Sequence, residues 1–113
     1  MVNVKEWDVP LPAPGVLENL VFLELKRRGY QVFIGKFENK EIDFIAEKEN
    51  RKIYIQVAYL LSSGEIIERE FSVLKLIKDN YPKYVISMDT ISGSDFEGIQ
   101  RINLVDFLLN PDI

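Results

Sequence analysis

An α/β fold with a mixed sheet flanked by helices is the architecture this sequence predicts, and three observations carry it. Between residues 30 and 59 lie three short segments rich in β-branched and aromatic residues, separated by polar turns that leave room only for antiparallel pairing. A stretch with helical periodicity stands on either side of them. A further strand, KYVISMD, follows the second helix, and a strand reached through a helical crossover is expected to run parallel to an earlier one.

Residues 1–14 (MVNVKEWDVPLPAP) read as an extended linker or arm, because Pro10, Pro12 and Pro14 remove backbone donors at alternate positions. Trp7 is its one large anchor. The folded domain is placed at 15–113.

From Gly15 to Gly29, Leu17, Val21 and Leu25 recur at helical spacing, and Val16, Leu20 and Leu23 widen the apolar face, so a largely buried helix stopped by Gly29 is expected. Lys26, Arg27 and Arg28 complement the dipole at its end. Glu18 shares a stripe with Phe22 and Leu25, which puts its carboxylate at the edge of apolar surface. It either answers the helix dipole from the first turn or finds a partner or a cation.

The three strands are Tyr30 to Lys36, Glu41 to Lys48 and Lys52 to Tyr59, with Glu-Asn-Lys at 38–40 and Glu-Asn-Arg at 49–51 as turns. Alternation puts Ile42, Phe44 and Ala46 on one face of the second strand, and Glu41, Asp43 and Ile45 on the other. In the third, Ile53, Ile55 and Val57 share one face, and Tyr54, Gln56 and Ala58 the other. An aspartate between Ile42 and Phe44 in mid-strand asks for a reason, since strands are depleted in Asp.

Ser62 to Glu65 matches a Ser-x-x-Glu capping pattern. Ile67, Phe71, Leu74, Ile77 and Tyr81 then mark an amphipathic helix ended by Asn80, Tyr81 and Pro82. Lys83 to Asp89 is the crossover strand, 92–98 a Gly/Ser/Asp loop, Gly98 to Leu104 a last strand, and Val105 to Leu109 a closing helical turn or two.

With neither cysteine nor histidine, the chain has no disulfide, no thiolate or imidazole metal ligand and no Ser/His or Cys/His nucleophile. Its chemistry must come from carboxylates, lysine, tyrosine or a hard, oxygen-bound cation. The net charge of −4 opposes a broad phosphate-binding surface while leaving room for a local patch. No membrane span or signal peptide is apparent, and the chain is read as cytoplasmic. No GxxxxGK[ST] phosphate loop occurs, so ATP hydrolysis is not a property of these residues.

The blocks GVLENLVFLELKRRGYQVFIGK, EIDFIA, IYIQVAYLL, EREF, IKDNYPKYVISMD and INLVDFLL together resemble the C-terminal domain, of unknown function, of bacterial and archaeal AAA-type ATPases. That domain is similar in pattern to the PD-(D/E)XK, or restriction endonuclease-like, nuclease superfamily. The resemblance covers residues 15 to 110 and implies an αβββαβ core, here with an extra strand and a short C-terminal helix.

The superfamily's site, carried over, places its helix glutamate at Glu18, its second-strand aspartate at Asp43 and its acid or glutamine at Gln56. These three would bind Mg²⁺, and the lysine that normally follows two residues later is Ala58. A missing cation beside developing negative charge typically costs about 10²–10³ in rate. Lys52 shares the Gln56 face but lies about 13 Å along the strand, out of reach, whereas Lys36 and Lys75 are geometrically eligible substitutes.

The resemblance therefore implies an accessory nuclease-like domain of an AAA-type ATPase, catalytically weakened or inactive, with the ATPase module as partner and nucleic acid as a second candidate partner. Two other readings stay open at this point: an active Mg²⁺-dependent DNA endonuclease, and a protein-interaction domain with neither metal nor nucleic acid.

Overall fold

The structure is a computed structural model that describes residues 4–8, 15–61, 63–90, 95–96 and 98–113, with backbone alone at 4–8 and 95–96. In chain order the elements are β1 (Val4–Asp8), α1 (Val16–Arg27), β2 (Gln31–Phe37), β3 (Lys40–Lys48), β4 (Arg51–Val57), α2 (Gly64–Leu76), β5 (Lys83–Ser87), β6 (Asp95–Phe96), β7 (Ile99–Asn103) and α3 (Leu104–Leu109). The strands form one mixed sheet in the order β1-β2-β3-β4-β5-β7-β6. β4, β5 and β7 run parallel to one another, and every other pairing is antiparallel.

The αβββαβ order and the mixed sheet are those expected, and the sheet is wider at both edges. Val4–Asp8, inside the segment read as a linker or arm, pairs antiparallel with β2 as an edge strand, and the prolines begin only after it. Residues 9–14 and the Trp7 side chain lie outside the described residues. At the other edge, Asp95–Phe96, within the expected loop, pairs antiparallel with β7.

Helices cover both faces of the sheet. On one, Val21, Phe22 and Leu25 of α1 and Leu104 and Phe107 of α3 pack on Phe44, Ala46, Ile53, Ile55 and Val57. On the other, Phe71, Val73 and Leu74 of α2 pack on Ile42, Ile45, Tyr54 and Val85. Among the described residues none covers the outer face of α1, so Val16, Leu20 and Leu23, expected to widen its buried face, are exposed. Among the described residues no helix is long and apolar enough to cross a membrane.

Ile42 departs from simple alternation. Between the pairs Phe33↔Ile45 and Gly35↔Ile42, β2 advances two residues and β3 three, so one extra residue is inserted around Asp43 and Phe44. This bulge turns Ile42 onto the face of Ile45 instead of that of Phe44 and Ala46. Gly35 accommodates it, because a Cβ there would run into the side chains of Ile45 and Ile42. The hairpin turns fall where expected, with Glu38 and Glu49 at positive φ of 58° and 56°.

α1 ends as the sequence indicates, with Gly29 at φ +92°. Arg28 does more than complement the dipole: its guanidinium donates to the carbonyls of Phe107, Asn110 and Ile113 and to Glu24 Oε2, and it stacks 4.6 Å from the centre of the Phe107 ring. α2 is capped by Ser63, whose Oγ accepts from Ile66 N, one residue after the expected Ser62, which lies outside the described residues. The helix also stops earlier than expected, at Leu76. Beyond it Asp79 accepts from Tyr54 OH at 2.6 Å, Lys83 Nζ at 2.8 Å and Tyr81 N at 3.1 Å, a network that holds the chain in a turn before β5.

Candidate functional site

Asp43 and Gln56 face each other where β3 and β4 part. Backbone pairing runs from Lys48↔Arg51 to Phe44↔Ile55 and stops, one step short of the position where Asp43 would meet Gln56. Side chains replace the ladder there: Gln56 Oε1 accepts from Asp43 N–H at 2.7 Å, and Asp43 Oδ2 accepts from Val57 N–H at 2.8 Å. The mid-strand aspartate thus satisfies a backbone donor that the divergence leaves without a strand partner. Asp43 Oδ1 has no hydrogen-bond partner among the described residues.

The gap opens into a cavity of about 640 Å³ between the sheet and α2. Lys40, Glu41 and Asp43 line it from β3, Gln56 from β4, and Glu65, Glu68, Arg69 and Glu70 from α2. Five of those residues are acids and two are bases, which makes the cavity an environment for a cation or for a ligand that carries one.

Burial, the largest cause, pushes the Asp43 carboxyl up to about 7 from an ordinary 3.8. The Val57 N–H acts the other way, and the charges of Glu70, Glu18 and Glu41 add to the rise. The Glu70 carboxyl is also raised, first by burial, with Arg69 opposing and Glu18 contributing. Carboxylates whose charged form burial and one another make costly are those a divalent cation relieves.

Of the residues singled out from sequence, Asp43 and Gln56 come together in this cavity. Glu18 sits on α1 with its carboxylate folded back over Gly15 at the helix start. It does not line the cavity, although its charge reaches both Asp43 and Glu70. It is therefore a first-turn glutamate and a neighbour of the site at once. Among the described residues no three acids lie close enough to hold one ion between them.

Ala58 stands one residue past the end of β4, packed against the apolar cluster under α2 and away from the cavity lining. Lys36 and Lys75 do not line the cavity either, and Lys75 Nζ is 3.6 Å from Glu68 Oε1. Among the described residues the basic groups that line it are Lys40 and Arg69.

Glu70 is the acid that sequence reasoning passed over. It lies three and four residues from Ile67, Ile66, Val73 and Leu74, on the apolar stripe of α2, which is the same signal that picked out Glu18 on α1.

The chain matches no described protein family and no solved structure. It is 45% identical, across 82% of its length, to an uncharacterized protein of Haemophilus influenzae, of which it covers 22%. It is 37% identical, across 80% of its length, to uncharacterized protein MJ1544 of Methanocaldococcus jannaschii, of which it covers 21%. The chain thus spans about a fifth of the length of the curated relatives it matches.

Proposed function

We propose that this domain is a nuclease-like accessory module of a larger AAA-type ATPase, with a carboxylate cavity that takes up a hard divalent cation and turns over phosphodiesters weakly or not at all. The observation that carries the reading is the Asp43–Gln56 exchange of hydrogen bonds at the β3–β4 divergence, opening on an acid-lined cavity. The relatives' greater length supports a module within a longer chain.

The donor set suits Mg²⁺ or Mn²⁺. Mg²⁺ keeps several waters and needs only one or two carboxylates, so the absence of three converging acids among the described residues is no bar. Asp43 Oδ1 and Glu70 are the residues that would hold it, with Glu18 adding negative charge from α1. Such a cation would offset charge on a phosphate and activate water. The position two residues past Gln56, where the nuclease pattern has lysine, is Ala58, whose methyl supplies no charge.

With Mg²⁺ or Mn²⁺ and single- or double-stranded DNA, the expected result is little or no cleavage by the wild-type domain. Turnover acquired or raised by Ala58→Lys would place the deficit at that position. Wild-type turnover that Asp43→Asn abolishes and Ala58→Lys does not raise would overturn the reading in favour of an active endonuclease.

A further inference from the structure

The hydrogen bond between β3 and β4 fixes which end of the Gln56 amide faces the cavity. A backbone N–H can only donate, so the atom 2.7 Å from Asp43 N is the amide oxygen, and the nitrogen points away from it. Gln56 is only 6% exposed and lines the cavity, yet Nε2 makes no hydrogen bond to any described residue. Nε2 is not sealed from solvent, so water or an occupant of the cavity accepts from it.

A cation repels such donors, and a water coordinated to a cation has already directed a lone pair at the metal. An oxyanion answers them. Lys40 and Arg69 line the same cavity and supply positive charge for one. Among the surrounding carboxylates a bare anion is a poor occupant, whereas a phosphate ester has oxygens enough for Gln56, for these two bases and for a cation at once.

We propose that Gln56 donates from Nε2 to a phosphoryl oxygen, with Lys40 and Arg69 meeting the phosphate charge, and that it is not a ligand to the cation. This rests on the reading of the cavity as a nuclease-like site and reassigns one of its residues. The phosphoryl group is shared by inorganic phosphate and by a nucleic-acid strand.

The test follows the Gln56 side-chain amide by NMR, its signals assigned by their loss in Gln56→Glu, as inorganic phosphate or a short single-stranded oligodeoxynucleotide is added in the presence of Mg²⁺, with Mg²⁺ alone as the reference. The expected result is movement with the oligonucleotide. Movement with phosphate as well assigns the site to the phosphoryl group itself, and movement with the oligonucleotide alone assigns it to a strand. Gln56→Glu, which keeps an oxygen for Asp43 N–H and loses the donor, should bind the oligonucleotide roughly 10- to 100-fold more weakly. Signals that stay still with both additives, signals that move only with Mg²⁺, or unchanged binding by Gln56→Glu would overturn the assignment. A cavity that takes the oligonucleotide but ignores Mg²⁺ at every pH would refute the cation reading and leave Gln56 as assigned.

Discussion

Asparagine in place of Asp43 is expected to make this protein more stable above pH 7, by an amount on the order of 4 kcal/mol, and to leave it nearly unchanged below pH 4. The folded protein holds the Asp43 carboxyl at about 7, against an ordinary 3.8. Between those values the folded state keeps a proton that the unfolded chain has released, so stability falls as pH rises through the window and the whole penalty is present above it. The groups acting on Asp43 are Glu41 on its own strand, Glu18 from α1 and Glu70 from α2, with the Val57 N–H opposing them. Lys40 and Arg69 line the same cavity. The substituted asparagine would keep an oxygen for that N–H and bring no charge. Urea unfolding of both proteins at pH 4 and pH 8 measures the difference. An Asp43→Asn variant less stable than wild type at pH 8 would show that the aspartate is a structural acceptor and not a strained acid.

Loss of Arg28 is expected to have the opposite effect and a comparable size. Its side chain retains only 9% exposure, as does that of Glu24, whose carboxylate it meets at 2.6 Å. Arg27 is the largest influence holding the Glu24 carboxyl down at about 2, with burial opposing and Arg28 assisting, so Glu24 stays charged. Arg28→Ala would remove the nearly buried partner of that charge and strand the carbonyls of Phe107, Asn110 and Ile113, which tie α3 and the chain end to α1. Breaking a buried pair by deleting one partner costs about 3–5 kcal/mol. Lysine should recover only part of this, since one ammonium cannot reproduce the planar fork. Urea unfolding gives the energy, and hydrogen exchange should show α3 losing protection first. A cost under about 1 kcal/mol would mean that Arg27 and solvent replace the clamp.

The elements that carry the site were legible because their signals are local. Alternation in β4 correctly put Gln56 and Ala58 opposite Ile55 and Val57, and a mid-strand aspartate correctly asked for an explanation. The bulge in β3 was not legible, since the insertion exists only relative to β2, and Ile42 was assigned to the wrong face for that reason. Glu70 was overlooked among the charges of α2, although its apolar neighbours three and four residues away mark it. The polarity of the Gln56 amide depends on a backbone N–H across the sheet, which no spacing along the chain encodes. The edge strand at Val4–Asp8 was obscured by the prolines that follow it.

The central claim is that Asp43 must give up its proton for the cavity to hold a divalent cation. Calorimetric titration with Mg²⁺ and Mn²⁺, at pH 6 and pH 8 and in buffers of different ionisation enthalpy, tests it most directly. With the carboxyl at about 7, binding should be roughly tenfold weaker at pH 6 than at pH 8, should release a proton near pH 7, and should be lost in Asp43→Asn. Equal heats from Asp43→Asn and wild type, or no heat at either pH, would contradict it.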